Sequence, residues 1–135
     1  MADIRRVTDD FSVAPQLLPE EMATASALGF KLIVNNRPDG EAPGQPTGAQ
    51  MAKAAEAAGM SYVHIPVSGM AAPAQIEAMH TAVSGAAGPV LAFCRSGTRS
   101  VTIWAMGEAT LGRRPKTEIV ELAGEAGYDL SPLLR

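Results

Sequence analysis

Residues 89–109, PVLAFCRSGTRSVTIWAMGEA, carry the single cysteine of the chain. The stretch joins two patterns. "PVLAF" is a short apolar run of the buried-strand type, and "SVTIWAMGEATLG" repeats its apolar residues at helical spacing. Cys94 falls where the strand stops, and Arg95, Ser96, Gly97, Thr98, Arg99 and Ser100 lie between it and the helix. Amides at a helix start are unsatisfied donors carrying part of the helix dipole, so they bind anions and favour a thiolate over a thiol. Gly97 lets the loop curl with its amides inward, which makes an anion nest. Two guanidinium groups add planar forks for oxyanions, and Ser100 is placed to steady the sulfur or cap the helix. A lone cysteine is often inert packing. Arginines one and five positions later have no place in such packing, where buried charge is costly. Cys94 therefore reads as a nucleophile.

Working outward, short apolar runs alternate with helical stretches, which is the pattern of an α/β fold with a mostly parallel sheet covered by helices. A first helix is expected from Pro19 to Leu28, with proline in its first turn, Glu20 and Glu21 against its dipole and Gly29 as its stop. "FKLIVN" follows as a strand. Residues 36–48 are rich in proline and glycine and make a long loop. Thr47 or Gly48 starts a second helix that Gly59 ends, "SYVHIPV" is a strand, and "GMAAP" a turn. "PAQIEAMHTAVSG" and "KTEIVELAGEAG" complete the helices. We expect three layers around about four to five strands, with residues 1–135 as one domain.

Composition narrows the function. A formal net charge of -3 provides no basic stripe for nucleic acid. No apolar run is long enough to span a bilayer, so no membrane partner is expected. A single cysteine closes no internal disulfide, which fits a reducing, cytoplasmic setting. One cysteine and two histidines on separate elements match no usual zinc spacing, so neither metal nor cofactor is expected. His64 reads as a structural histidine within its strand and His80 as solvent-facing. Trp104 and Met106 read as core or flank positions, and the scattered methionines form no binding stripe.

"CRSGTRS" (94–100), "NNRPDGEAPGQP" (35–46) and "YVHIPV" (62–67) together resemble the phosphatase-like domain of the beta-lactamase-hydrolase-like family, also described as a sulfur transferase. The resemblance covers nearly the whole chain. It implies a fold similar to dual-specificity tyrosine phosphatases, with a rhodanese-like fold as the alternative. Tyrosine phosphatases resemble one another in having histidine, cysteine, any five residues and arginine; here Phe93 precedes Cys94 and Arg99 follows after four residues. Such a shorter loop resembles that of rhodanese-type sulfurtransferases. Those phosphatases also use an aspartate acid, commonly just after the strand resembling "YVHIPV". This chain continues "SGMAAPAQ", with no carboxylate before Glu77. An absent acid costs alkoxide expulsion a factor typically of about 10² to 10⁴. It costs sulfur transfer little, because sulfite or a low-pKa thiolate leaves unprotonated.

The expected activity is therefore sulfur transfer. Cys94 would take a sulfane sulfur from thiosulfate or glutathione persulfide and pass it to a thiol or cyanide, with Arg99 and Arg95 and the Ser96, Gly97, Thr98 and Ser100 segment holding the anion. A sulfur-oxidising enzyme is a candidate partner. The alternative is phosphoester hydrolysis through a Cys94 thiophosphate. A third reading is a non-catalytic anion or persulfide binding module. Asp39 is the candidate acid or pocket rim; Arg37 is either a second anion ligand at the mouth or a surface partner of Asp39, and Glu41 reads as part of a solvated turn.

Overall fold

The computed structural model describes all residues except Met1, Arg113 and Arg135. Its five strands are β1 (Arg5–Thr8), β2 (Phe11–Ala14), β3 (Leu32–Asn35), β4 (Ser61–His64) and β5 (Val90–Phe93). The helices are α1 (Met22–Ala27), α2 (Gly48–Ala57), α3 (Pro73–Ser84), α4 (Thr98–Thr110) and α5 (Lys116–Glu125). The strands form one sheet in the order β1-β2-β5-β3-β4. Four of them run parallel, and only β1 pairs antiparallel, as the first arm of a hairpin with β2. This is the expected α/β, mostly parallel architecture.

The β1–β2 hairpin is the one pair of strands that the sequence reading does not pick out. "RRVT" and "FSVA" are short and reverse over Asp9–Asp10, and their register shifts between Arg6 and Thr8. A bulge of that kind breaks the strict alternation by which a strand is recognised. The expected helix over 19–28 is in fact a 3₁₀ turn, Pro19–Glu21, running into α1, and it stops as foreseen at Gly29 with φ +98°. β4 ends at His64, before Pro66, which lacks the donor to continue a ladder.

The two faces of the sheet fill two separate apolar clusters. Val13, Leu32, Val34, Val90 and Ala92 face α3, α4 and α5 and pack with Met79, Ile103, Trp104 and Ile119. Their alternates Ala14, Ile33, Leu91 and Phe93 face α1 and α2 and pack with Met22, Met51 and Ala55. The period of two along each strand thus feeds helices on both sides. Each of the fully buried larger side chains, such as Leu91 and Phe93, contributes about 1.5–3 kcal/mol over its exposed state. Trp104 is core, stacked on Phe11 with ring centroids 5.2 Å apart. His80 departs from the expectation of a solvent-facing residue: it is half-buried, against Gly107 where α3 and α4 meet. Because β5 lies between β2 and β3, the loop after its C-terminal end is bordered by the segments after both neighbours.

Candidate active site

Cys94 follows β5 directly and is completely buried. Its backbone NH donates to the Ala14 carbonyl at 3.4 Å, which carries the ladder to β2 one residue past the strand. The chain then turns through Gly97, whose φ is +91°, into α4. That left-handed conformation suits glycine. It aims the Gly97 NH at Cys94 Sγ, 3.1 Å away. A Cβ at position 97 would collide with the Tyr128 hydroxyl. Tyr128 in turn donates to the Ser96 carbonyl at 3.0 Å, so the tail beyond α5 props the loop from outside. Burial raises the phenol pKa above its usual value.

The remaining loop residues divide by burial. Ser96 Oγ donates to Thr98 Oγ1 at 3.0 Å, and both side chains are exposed at the rim. Arg95 is exposed and has no side-chain partner among the described residues. Ser100 is fully buried at the start of α4, and its Oγ has no hydrogen-bond partner. The hydroxyl therefore lies near the sequence of the loop without touching the sulfur.

Arg99 occupies the first turn of α4 and is the best-anchored cation of the site. Its Nη1 donates to Glu41 Oε2 at 2.7 Å and to the Val67 carbonyl at 2.9 Å, while Nη2 donates to Glu41 Oε1 at 2.8 Å. Val67 belongs to the segment after β4, and Glu41 to the loop after β3. Three crossover loops thus meet on one guanidinium. The same Glu41 accepts from Arg37 Nε at 2.9 Å. The hydrogen bond from Arg99, seconded by Arg37, lowers the Glu41 pKa to about 2. Reciprocally, Glu41 raises the pKa of Arg99, with the neighbouring Cys94 adding to the effect. The carboxylate is an ionised anchor that fixes the arginine fork beside the sulfur.

The long loop behaves differently from its sequence reading. Arg37 is only 5% exposed, and its Nη1 donates to Gln16 Oε1 at 3.0 Å; it is a buried strut rather than a ligand at the mouth, and it pairs with Glu41 rather than Asp39. Burial with full pairing is what permits its charge there. Asp39 accepts from the Gly48 NH at 2.7 Å and so helps cap α2 beside Thr47. An acceptor satisfied at a helix start lies against the dipole that stabilises its charge. His64 donates from Nε2 to the Arg37 carbonyl at 2.8 Å and is a structural tie, as expected. Glu41, which sequence reasoning assigned to a solvated turn, instead pairs with both Arg99 and Arg37. Its spacing of four from Arg37 carried no signal, because i,i+4 pairing belongs to helices and these residues lie in a loop. Nothing in the sequence pointed to Tyr128 or Gln16, which reach the loop from remote elements. No cluster of histidine, cysteine or carboxylates suited to a metal occurs among the described residues, and none of the helices described is long and apolar enough to cross a membrane.

Comparison with known proteins bears on the chemistry. A family model described as "Beta-lactamase hydrolase-like protein, phosphatase-like domain" matches residues 3–111. A beta-lactamase hydrolase-like protein of Agrobacterium fabrum is 42% identical over 131 residues, which are 96% of this chain and 30% of that protein. The chain therefore spans about a third or less of the length of the curated relatives it matches. Among solved structures, a putative phosphatase from Neisseria meningitidis superposes with a TM-score of 0.84 at 33% identity, covering 97% of this chain and 93% of the other. P. aeruginosa TpbA in complex with pTyr shares the fold, with a TM-score of 0.66 at 18% identity over 95% of this chain and 76% of that one.

These findings correct the expectation of sulfur transfer, because the family model is a phosphatase-like domain and a solved relative at 33% identity is a putative phosphatase. The expected tyrosine-phosphatase-like fold is the one observed, not its rhodanese-like alternative. Thiosulfate, glutathione persulfide and a sulfur-oxidising partner lose their support with sulfur transfer. The physical reason is that loop length measures chain, not the cradle: Gly97 turns the short loop tightly, and the cradle draws on Glu41 and Val67 outside it. With more than three quarters of its residues inside the family model and a relative 42% identical over 96% of the chain, the chain belongs to the phosphatase-like domain family of the beta-lactamase hydrolase-like proteins.

Proposed function

We propose that this domain is a cysteine-dependent phosphomonoesterase. The observation that carries the reading is the Gly97 NH directed at Cys94 Sγ at 3.1 Å beside an arginine fork that Glu41 and Val67 hold in place. A phosphatase with pTyr bound on the same fold supports phosphoesters as the substrate class. The Cys94 thiolate attacks phosphorus, forming an S–P bond as the bond to the ester oxygen breaks. Arg99 and the amides between Ser96 and Ser100 face the equatorial oxygens, where developing charge is greatest. Arg95 at the rim draws the dianion in. Water then attacks the thiophosphate, releasing inorganic phosphate and returning the thiolate. The Gly97 NH, already 3.1 Å from Sγ, stabilises the departing sulfur.

The ester oxygen leaves with little help. Asp39 is engaged by Gly48 and Glu41 by two arginines, so the leaving group takes its proton from water. Phenols leave faster than alkanols under these conditions. A free thiol in this role fits a reducing compartment such as the cytoplasm. The test is release of 4-nitrophenol from p-nitrophenyl phosphate. Turnover that disappears in Cys94→Ser sustains the reading; a wild-type protein that neither turns over the ester nor binds orthovanadate overturns it.

A further inference from the structure

Beside the cysteine loop runs a groove of about 400 Å³ that the hydrolysis just described does not use. One wall is the segment after β4, with Val67, Met70 and Ala71; the other is a face of α4, with Thr102 and Met106, and Leu133 of the tail closes it. Thr98, Thr102 and Met106 recur every four residues and so share one side of the helix. Among the described residues, Arg99 is the single charged member of the lining, and its guanidinium is fixed to the Val67 carbonyl of the opposite wall. The rim keeps apolar surface in water at a cost: Met70 is 90% exposed and Leu133 48%. Two of the scattered methionines thus meet in one place, and their unbranched side chains adapt to varied apolar shapes.

We propose that this groove takes the apolar organic group of the phosphomonoester whose phosphate lies on the Cys94 loop, so that the domain selects apolar phosphomonoesters over sugar phosphates and nucleotides. The proposal rests on the phosphatase reading. Its argument is charge complementarity along one axis: a cation at the anion site, then a trough whose described residues carry no further charge and offer two threonine hydroxyls to meet a polar body. A sugar or nucleoside would leave its own hydroxyls unpaired against Val67, Ala71 and Met106, and unpaired buried polar groups oppose binding. An alkyl or aryl group would instead remove water from Met70 and Leu133.

Calorimetry on the Cys94→Ser protein, which holds ligand without turnover, tests it with inorganic phosphate, glycerol phosphate, n-butyl phosphate and n-hexyl phosphate. Affinity is expected to rise by roughly twofold to fourfold per added methylene, with glycerol phosphate no tighter than inorganic phosphate. Adding Met70→Ser or Met106→Gln is expected to flatten the series while inorganic phosphate binds as before. Met70 is exposed enough that its replacement leaves the fold intact. A flat series in the starting protein, with inorganic phosphate bound, overturns the groove assignment and leaves the phosphatase reading standing. No binding of any phosphate overturns the phosphatase reading itself. A dimer in sedimentation that Met70→Ser dissociates overturns the groove assignment in favour of a second copy as occupant.

Discussion

Two loops build the site, and they do so in opposite ways. The loop of residues 94–97 is short, and the contacts that shape its cradle are local: Gly97 turns it, its amide meets the sulfur, and Ser96 meets Thr98, while Tyr128 only props it from outside. The loop of residues 36–47 is long, and its working contacts run outward, from Glu41 to Arg99, from Arg37 to Gln16 and from Asp39 to Gly48. In the proposed reaction the first supplies the reacting atom and its amide cradle. The second supplies no reacting atom, yet it decides where the arginine fork of the first points. The comparison teaches that a nucleophile loop can be local while its electrostatics is borrowed from a segment more than fifty residues away in sequence.

The sharpest break of that division is Arg99→Lys. Lysine keeps the charge but cannot hold Glu41 through two nitrogens while also meeting Val67 and the phosphate. The kcat/KM for p-nitrophenyl phosphate is expected to fall on the order of 10²- to 10³-fold, with thermal stability reduced much less. Gly97→Ala attacks the local loop itself. Its positive φ and the adjacent Tyr128 hydroxyl leave no room for a methyl group, so turnover is expected to fall roughly 10²-fold and stability by about 2 kcal/mol. Urea melts read alongside kinetics separate the two losses.

Glu41→Gln tests the borrowed part. The amide bonds Arg99 less strongly than the carboxylate does, so kcat/KM is expected to drop on the order of tenfold through loss of orientation. A rise in kcat would show that the carboxylate obstructs the site instead of ordering it. The pH dependence follows from the same pair. The folded pKa of Glu41, about 2, lies below its ordinary 4.5. Its stabilisation is therefore fully present above the ordinary value and is lost as pH falls from there toward about 2. Thermal midpoints across that acid range should decline less steeply in Glu41→Gln than in the parent. The smallest effect is expected of Asp39→Ala. It removes one acceptor from the start of α2, costing about 1 kcal/mol in stability with kcat unchanged. A large loss of kcat, restored by the more acidic leaving group of a dinitrophenyl ester, would return Asp39 to the role of acid.

The residues themselves determined a good part of this. The helices α2 to α5 and the strands β3 to β5 followed from periodicity and from Gly and Pro signals, because a buried face must repeat at the period of its element. Cys94 at the end of a strand, with Gly97 and Arg99 behind it, was legible for the same reason: strand, turn and helix start are contiguous in the chain, so their chemistry is written in neighbouring letters. The β1–β2 hairpin was not, since four-residue strands with a bulge carry too little repeat. Nor was the choice between sulfur and phosphorus, for which counting four spacer residues proved the wrong measure. Only the tertiary structure decided that Glu41 sits on Arg99, that Arg37 is a buried strut, that Asp39 caps α2 and that Tyr128 props Ser96. The Glu41–Arg99 and Arg37–Gln16 contacts join segments brought together by the β2-β5-β3 strand order. A charge in a flexible loop has no preferred partner until packing elsewhere sets which opposite charge lies within reach, and that distance is a property of the folded sheet and not of the spacing between residues.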